Sequence, residues 1–460
     1  MNVIHTGRVR RDHATMVIGL AGIALAVGGA MWAGNTLSYN IWAGLIVAVA
    51  LLGVSLPLLA RAERDRRIAR LLIAALVVRL AASAVRYVMV FAFLDFGDVL
   101  NYVRAGDQLA ELFRQGVFSF DLGRSLVGTG FVQVVTGVVL TVTGSSLLGA
   151  FFIFAWLGYW GMYFFYRAFR TACPEGDGVR YAWLVLFMPS LVFWPAGIGK
   201  EAWMLLTLGL SAYGVARVLN HHAGGYPLLA LGLGGVTMVR PHMSVLLCCG
   251  LVASYLARSS RHGVSPERSH VGLAARLGGM VMLAALSVVV VTQAERFFGV
   301  EDRDLTAQVD AVLALTHQRS TRGGSEFEAT PVRSPLQLPG AIATVLLRPF
   351  PFEAHNTRAL IASLEGVALI GLAVISLPRL RGVPSHMRRN PYVTFVVVYS
   401  LLFVVAFSNI GNLGLLARQR IQAFPILLVL FALPPRPTGA QAPRVWARGR
   451  ESPGSRPPRR

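Results

Sequence analysis

Long apolar runs separated by short basic gaps make up most of this chain. The runs fall at 15–34, 41–60, 70–94, 126–143, 146–166, 181–196, 202–218, 226–239, 241–257, 273–293, 358–378, 391–408 and 421–434. Stretches such as Thr15 to Gly34, Leu71 to Phe93, Leu273 to Val291 and Tyr392 to Phe407 carry few or no charges. At a rise of about 1.5 Å per residue, such runs are about long enough to cross roughly 30 Å of hydrocarbon. A backbone inside lipid must satisfy its own hydrogen bonds, and the runs lack the period-two alternation of barrel strands, so helices are implied. The pattern predicts an all-α polytopic membrane protein.

The polar gaps orient the spans. Those at 61–70, 258–271 and 379–389, and the tail after Pro434, are rich in arginine and are expected on the cytoplasmic side with the N-terminus. Both termini inside require an even number of crossings, about 12 transmembrane helices. About thirteen apolar segments are visible, so one does not cross. The candidates are the short segments flanking Gly197-Ile198-Gly199-Lys200-Glu201 or Arg240-Pro241-His242, and the Gly/Thr-rich piece at 126–143. The division expected is a cytoplasmic N-terminal segment, 1–14, a multi-span domain, 15–434, with outer loops at 95–125 and 294–357, and a disordered basic cytoplasmic tail, 435–460. Arg8, Arg10 and Arg11 precede the first run as in a signal peptide. However, that run has spanning length, and Ala30-Met31-Trp32-Ala33-Gly34-Asn35 is a poor cleavage site.

Composition supports this picture. Of 460 residues, 55% are hydrophobic and 14% charged, too apolar for an ordinary soluble domain. A formal charge of +21 would suit nucleic acid, but the arginines sit in the gaps between apolar runs, which makes lipid headgroups the expected counterions and excludes a nucleic-acid role. Cys173, Cys248 and Cys249 have no metal-ligand spacing, and no disulfide or structural zinc is expected.

Polar chemistry gathers at the ends of the runs. Asp95 and Asp98 close the third run, and Tyr102, Ala105, Leu109, Leu112 and Phe113 then recur at helical spacing. That spacing predicts an amphipathic juxtamembrane helix on the outer leaflet, with Arg104, Asp107, Glu111 and Arg114 on its wet side. A carboxylate there can take a proton from an acceptor hydroxyl or hold a divalent cation; the plainer alternative is a helix cap and a solvated turn. Lys200 is the only lysine of the chain, beside Glu201 between two apolar runs. An ionisable residue in that position is a candidate site, the alternative being a lysine reaching for headgroups.

Further along, Arg240-Pro241-His242 leaves a cation at a proline break, with a histidine that can be a ligand, an acid or a packed interfacial residue. The outer stretch contains Arg319 and Arg322, then Arg348 and Glu353 among prolines and aromatics. A final outer turn from Asn409 puts Arg418 and Arg420 before the last span. Arginine's planar fork suits phosphate oxygens, so a prenyl-phosphate or diphosphate headgroup fits; a structural anchor is the alternative.

These residues carry a resemblance to the integral-membrane glycosyltransferases of the C-type superfold and to polysaccharide polymerase-like membrane proteins. The first match is Asp98-x-x-x-Tyr102-x-x-x-Gly106-x-x-Leu109-Ala110 running into Phe113-Arg114-Gln115-Gly116. The second is Pro189-Ser190 through Trp194 with Gly199-Lys200-Glu201, and the third Arg418-Gln419-Arg420 before Pro425. The resemblance spans about 70–430. It implies a sugar transferase of the plasma (cytoplasmic) membrane that uses a polyprenyl-phosphate-linked sugar donor and an envelope glycan or lipid acceptor on the outer face. Asp98 would correspond to the catalytic or metal-holding acid, with Asp95 competing for that role. Tyr102, Lys200, Glu201, Arg240, His242, Arg322, Arg348, Glu353, Arg418 and Arg420 would line the substrate. The first loop lacks the two adjacent acids of the best-known members, and two spans precede the acid-bearing one. A transporter or flippase of an anionic lipid-linked glycan, with charges deep in the membrane and paired broken helices, is the rival. A non-catalytic envelope scaffold is a third reading.

Overall fold

The computed structural model describes residues 38–94, 98–118, 125–259, 327, 332, 334–354 and 357–435. The runs expected at 15–34 and 273–293, Asp95, Arg322, most of 294–333 and the tail lie outside the described residues. The principal elements are helices: α1 (Tyr39–Ala62), α2 (Arg66–Val88), α3 (Asp98–Arg114), α4 (Phe131–Thr143), α5 (Leu147–Ala172), α6 (Gly178–Phe187), α7 (Pro189–Phe193), α8 (Lys200–Leu219), α9 (Gly225–Val239), α10 (Pro241–Ser259), α11 (Leu338–Leu347), α12 (Thr357–Ile375), α13 (Pro391–Phe407), α14 (Leu413–Gln419) and α15 (Phe424–Ala432). A π-helical turn, Met89–Leu94, prolongs α2, and another, Leu126–Gly130, leads into α4. Every described apolar run therefore lies on helix. Among the described residues, five helical stretches are long and apolar enough to cross a membrane: Tyr39–Ala62, Arg66–Ala92, Leu126–Thr143, Leu147–Ala172 and Lys200–Leu219. The pair Leu413–Gln422 and Phe424–Ala432, bent by 53°, has the length and apolarity of a broken span or a re-entrant loop. The remaining apolar helices are shorter.

Local chemistry sets the boundaries. Asp65, Ser146, Asp177, Asn390 and Asn412 cap α2, α5, α6, α13 and α14 by accepting from first-turn N–H groups. Pro189 and Pro241 end α6 and α9, because the residue before a proline is driven out of the helical region. Met188 has ψ 127° and Arg240 has φ −145°, ψ 82°. One helix was not expected: α11 lies within the 294–357 stretch read as a polar outer loop, and it buries Ala341, Val345 and Leu346 against α12 and α13. The amphipathic helix after the third run is present as α3. Its apolar face, Tyr102, Gly106, Leu109, Ala110 and Phe113, packs on α4 rather than on lipid. Leu109 and Phe113 flank Gly137 there.

α5 and α8 form the centre, with α9 on the far side of α8 and α1 and α2 on α5. Glycines allow these helices to touch backbone to backbone, as small residues do in membrane bundles. A Cβ on Gly161 of α5 would stand 2.3 Å from the Leu205 carbonyl oxygen, and one on Gly209 of α8 would stand 2.2 Å from the Gly161 carbonyl oxygen. On the other face, Gly214 and Gly232 bring α8 and α9 as close, each Cβ meeting a backbone nitrogen at 2.5 Å. α8 is thereby held between two helices along its length. Gly209→Val is expected to lower thermal stability in detergent by about 1–3 kcal/mol, the usual range for overpacking. Gly53→Ala, on α1 with open space around its Cα, should leave it unchanged or slightly raised. A Gly209→Val protein as stable as wild type would contradict the close crossing.

Candidate functional site

The first turn of α8 carries Lys200 and Glu201 into a group of charges. Ala202 packs beside Gly158, the twelfth residue of α5, roughly 16 Å along that helix from its start at 1.5 Å per residue. Glu201 therefore stands alongside the middle of α5, although Lys200 and Glu201 are the first residues of the stretch Lys200–Leu219 and so lie at the end of an apolar run, where the sequence pattern put them. Glu201 is 1% exposed. Arg418 grips it with a two-bond fork, Nε to Oε1 at 2.7 Å and Nη2 to Oε2 at 2.9 Å. Arg240, at the α9–α10 break, reaches Oε1 at 3.5 Å and also donates to Gln419. The third arm of Arg418 meets Asp98 Oδ2 at 3.2 Å, across to the start of α3.

Asp98 differs from Glu201 in one decisive way. Its side chain is 59% exposed, so it keeps carboxylate oxygen free for solvent or a ligand while Glu201 has none to spare. Lys200 donates to the Thr129 hydroxyl at 3.0 Å, in the turn that enters α4, where Gly128 takes φ 89°. It stands within electrostatic reach of Asp98, Glu201, Arg240 and Arg418, and Glu201 also feels Arg86. Among the described residues, four cations, Arg86, Lys200, Arg240 and Arg418, thus surround two carboxylates, leaving two positive charges in surplus. Tyr102, buried on α3, faces the same ions, and burial, with Asp98 and Glu201 adding to it, keeps its phenol protonated well above its ordinary range. His242, half-buried on α10 with its ring 6.2 Å from that of Phe407, is close enough to feel Arg240 and Lys200.

Other expected site residues lie elsewhere. Arg348 forms a fork with Glu353, at 3.0 and 2.6 Å, and lies over the Phe327 ring at 4.4 Å. Arg420 is fully buried, and its terminal nitrogens are committed to the Arg348, Leu346 and Ala362 carbonyls and to Glu365. It does not face the Asp98 group. Arg79, Arg86, Thr129, Gln419 and Glu365 were not anticipated. The first two and Glu365 were legible as charges inside apolar runs, a signal of function or of a buried partner.

The surroundings of Asp98 are cationic, and among the described residues no group of three His, Cys, Asp or Glu side chains gathers to hold a metal ion. These residues are a poor fit for a divalent cation. What they can do is bind an anion at the start of a helix, beside a carboxylate able to accept a proton. Comparison with protein-family models, curated proteins and solved structures finds no match to this chain.

The Arg348–Glu353 pair gives a pH prediction. Partial burial opposes ionisation of Glu353, but hydrogen bonds from Arg348 and the Phe350 N–H outweigh it and hold the carboxyl below its ordinary value. With the folded value depressed, the stabilisation is complete above the ordinary carboxylate range and is lost as pH falls through the folded value. Wild type should lose thermal stability on acidification faster than Glu353→Gln does. Identical pH profiles for the two proteins would refute the contribution.

Proposed function

We propose that this protein is a membrane glycosyltransferase similar to the C-type superfold, moving a sugar from a polyprenyl-phosphate-linked donor to an envelope glycan or lipid acceptor. The observation that carries this reading is the pairing of an exposed carboxylate, Asp98, with a partly buried surplus of cations at Arg418, Arg240 and Lys200. Transfer needs both. Asp98 takes the proton of the acceptor hydroxyl as its oxygen attacks the anomeric carbon. The bond from that carbon to the phosphate oxygen breaks, and the cations stabilise the charge left on the phosphate. Glu201 touches no substrate in this scheme; it fixes the Arg418 and Arg240 forks. The topology that goes with the reading has about 12 spans in the plasma membrane, both termini cytoplasmic, and the reacting groups open to the outer side.

A second reading, a flippase for an anionic lipid-linked glycan, is favoured by the broken helix pairs α6–α7 and α14–α15 and by the buried Arg79, Arg86 and Arg420. Envelope glycan made by cells carrying Asp98→Asn, Asp107→Asn or wild type tests the choice. Asp107 is an exposed acid on the same helix. Asp98→Asn should lose at least about 100-fold in transfer, the lower bound for a general base, at normal membrane abundance, with Asp107→Asn unaffected. Normal glycan from stably expressed Asp98→Asn would refute the transferase assignment.

A further inference from the structure

α7 and the turn that follows it are held by buried charges at both ends. At the start of the helix, Glu365 of α12 accepts from the Ser190 N–H at 3.1 Å and from its hydroxyl at 2.7 Å. At the end, two arginines of α2 hold the last carbonyls: Arg79 Nη1 donates to Val192 at 2.9 Å and Arg86 Nη1 to Phe193 at 3.0 Å. Residues 195–199, buried throughout, then run directly into Lys200 and Glu201.

The second oxygen of Glu365 meets Arg420 Nη2 at 3.4 Å. Arg420 is two residues beyond Arg418, so the segments 189–201 and 418–420 are tied together twice. One tie is Glu201 to Arg418; the other runs from Ser190 through Glu365 to Arg420. A single ion pair lets two segments pivot about it, whereas two ties at separate points fix their relative placement. Stability alone is a weak reason for the second tie, since well-packed apolar side chains commonly replace a buried ion pair at no loss. A positional requirement is the stronger reason.

We infer that Glu365 and Ser190 are positioning residues for the Lys200–Glu201 site, setting the start of α8 against Arg418. The inference rests on the reading of that site as one that takes a phosphate-bearing ligand. The test uses full-length protein in detergent, as wild type, Ser190→Ala, Ser190→Thr and Glu365→Gln. Two readouts are taken: hydrogen exchange of backbone amides over 190–203, and affinity for inorganic pyrophosphate. Ser190→Ala and Glu365→Gln should speed exchange at 194–201 and weaken pyrophosphate by about tenfold, as expected for loss of a hydrogen bond to a charged group. Exchange in α5 and the unfolding midpoint of Ser190→Ala should stay near wild type, and Ser190→Thr should restore both readouts. Unchanged exchange at 194–201 in Ser190→Ala overturns the positioning role, as does a loss shared evenly with α5. Wild type that fails to bind pyrophosphate refutes the phosphate reading instead, and the exchange data still decide the positioning role.

Discussion

A carboxylate sealed inside an apolar bundle, Glu201, must be matched by positive charge, and the rest of the site follows from how that match is made. An isolated ion in such surroundings is costly, so the partners have to arrive with good geometry from other parts of the chain. Arg418 brings the last turn of α14 to the start of α8, and Arg240 brings the break between α9 and α10. The third arm of Arg418 then draws in Asp98 and the start of α3. Four segments distant in sequence meet because one buried acid needs neutralising.

Placing that acid is the task of the surrounding helices. Glycines at the α5–α8 and α8–α9 crossings let backbones touch, so α8 cannot slide without steric clash. Its first turn is reached through a buried turn, where a helix end would otherwise leave orphan N–H and C=O groups in a dry interior. The carbonyls of α7 meet arginines and the N–H of Ser190 meets a carboxylate, so broken backbone is tolerated inside the bundle. The outcome, among the described residues, is a cationic group with one well-exposed acid, Asp98, at its edge.

The helical nature of the chain was legible in its apolar runs, and so was the break at Pro241, whereas the one at Pro189 falls inside a run, 181–196, read as continuous. The residue types of the site were legible too: Asp98, Lys200, Glu201, Arg240 and Arg418 each stand out as polar interruptions. Their pairings were not, because adjacent residues such as Lys200 and Glu201 point in different directions, and partners such as Glu201 and Arg418 lie far apart in sequence. Arg79, Arg86 and Glu365 were legible as charges inside apolar runs, but the backbone and side-chain groups they hold, on α7 and at Arg420, were not. α11 was missed because a ten-residue helix flanked by polar loop gives little periodicity to read. Arg420 stood out beside Arg418, yet a shift of two residues around a helical turn sends it to a separate buried partner.

The central claim is that Glu201 and Arg418 act as one unit. A double-mutant cycle tests it most directly, with thermal unfolding in detergent measured for wild type, Glu201→Gln, Arg418→Gln and the double variant. Each single change should be strongly destabilising, since it strands a buried charge. The double variant should lose less than the two together, with a coupling of about 2 kcal/mol or more. Strict additivity of the two losses would contradict the account.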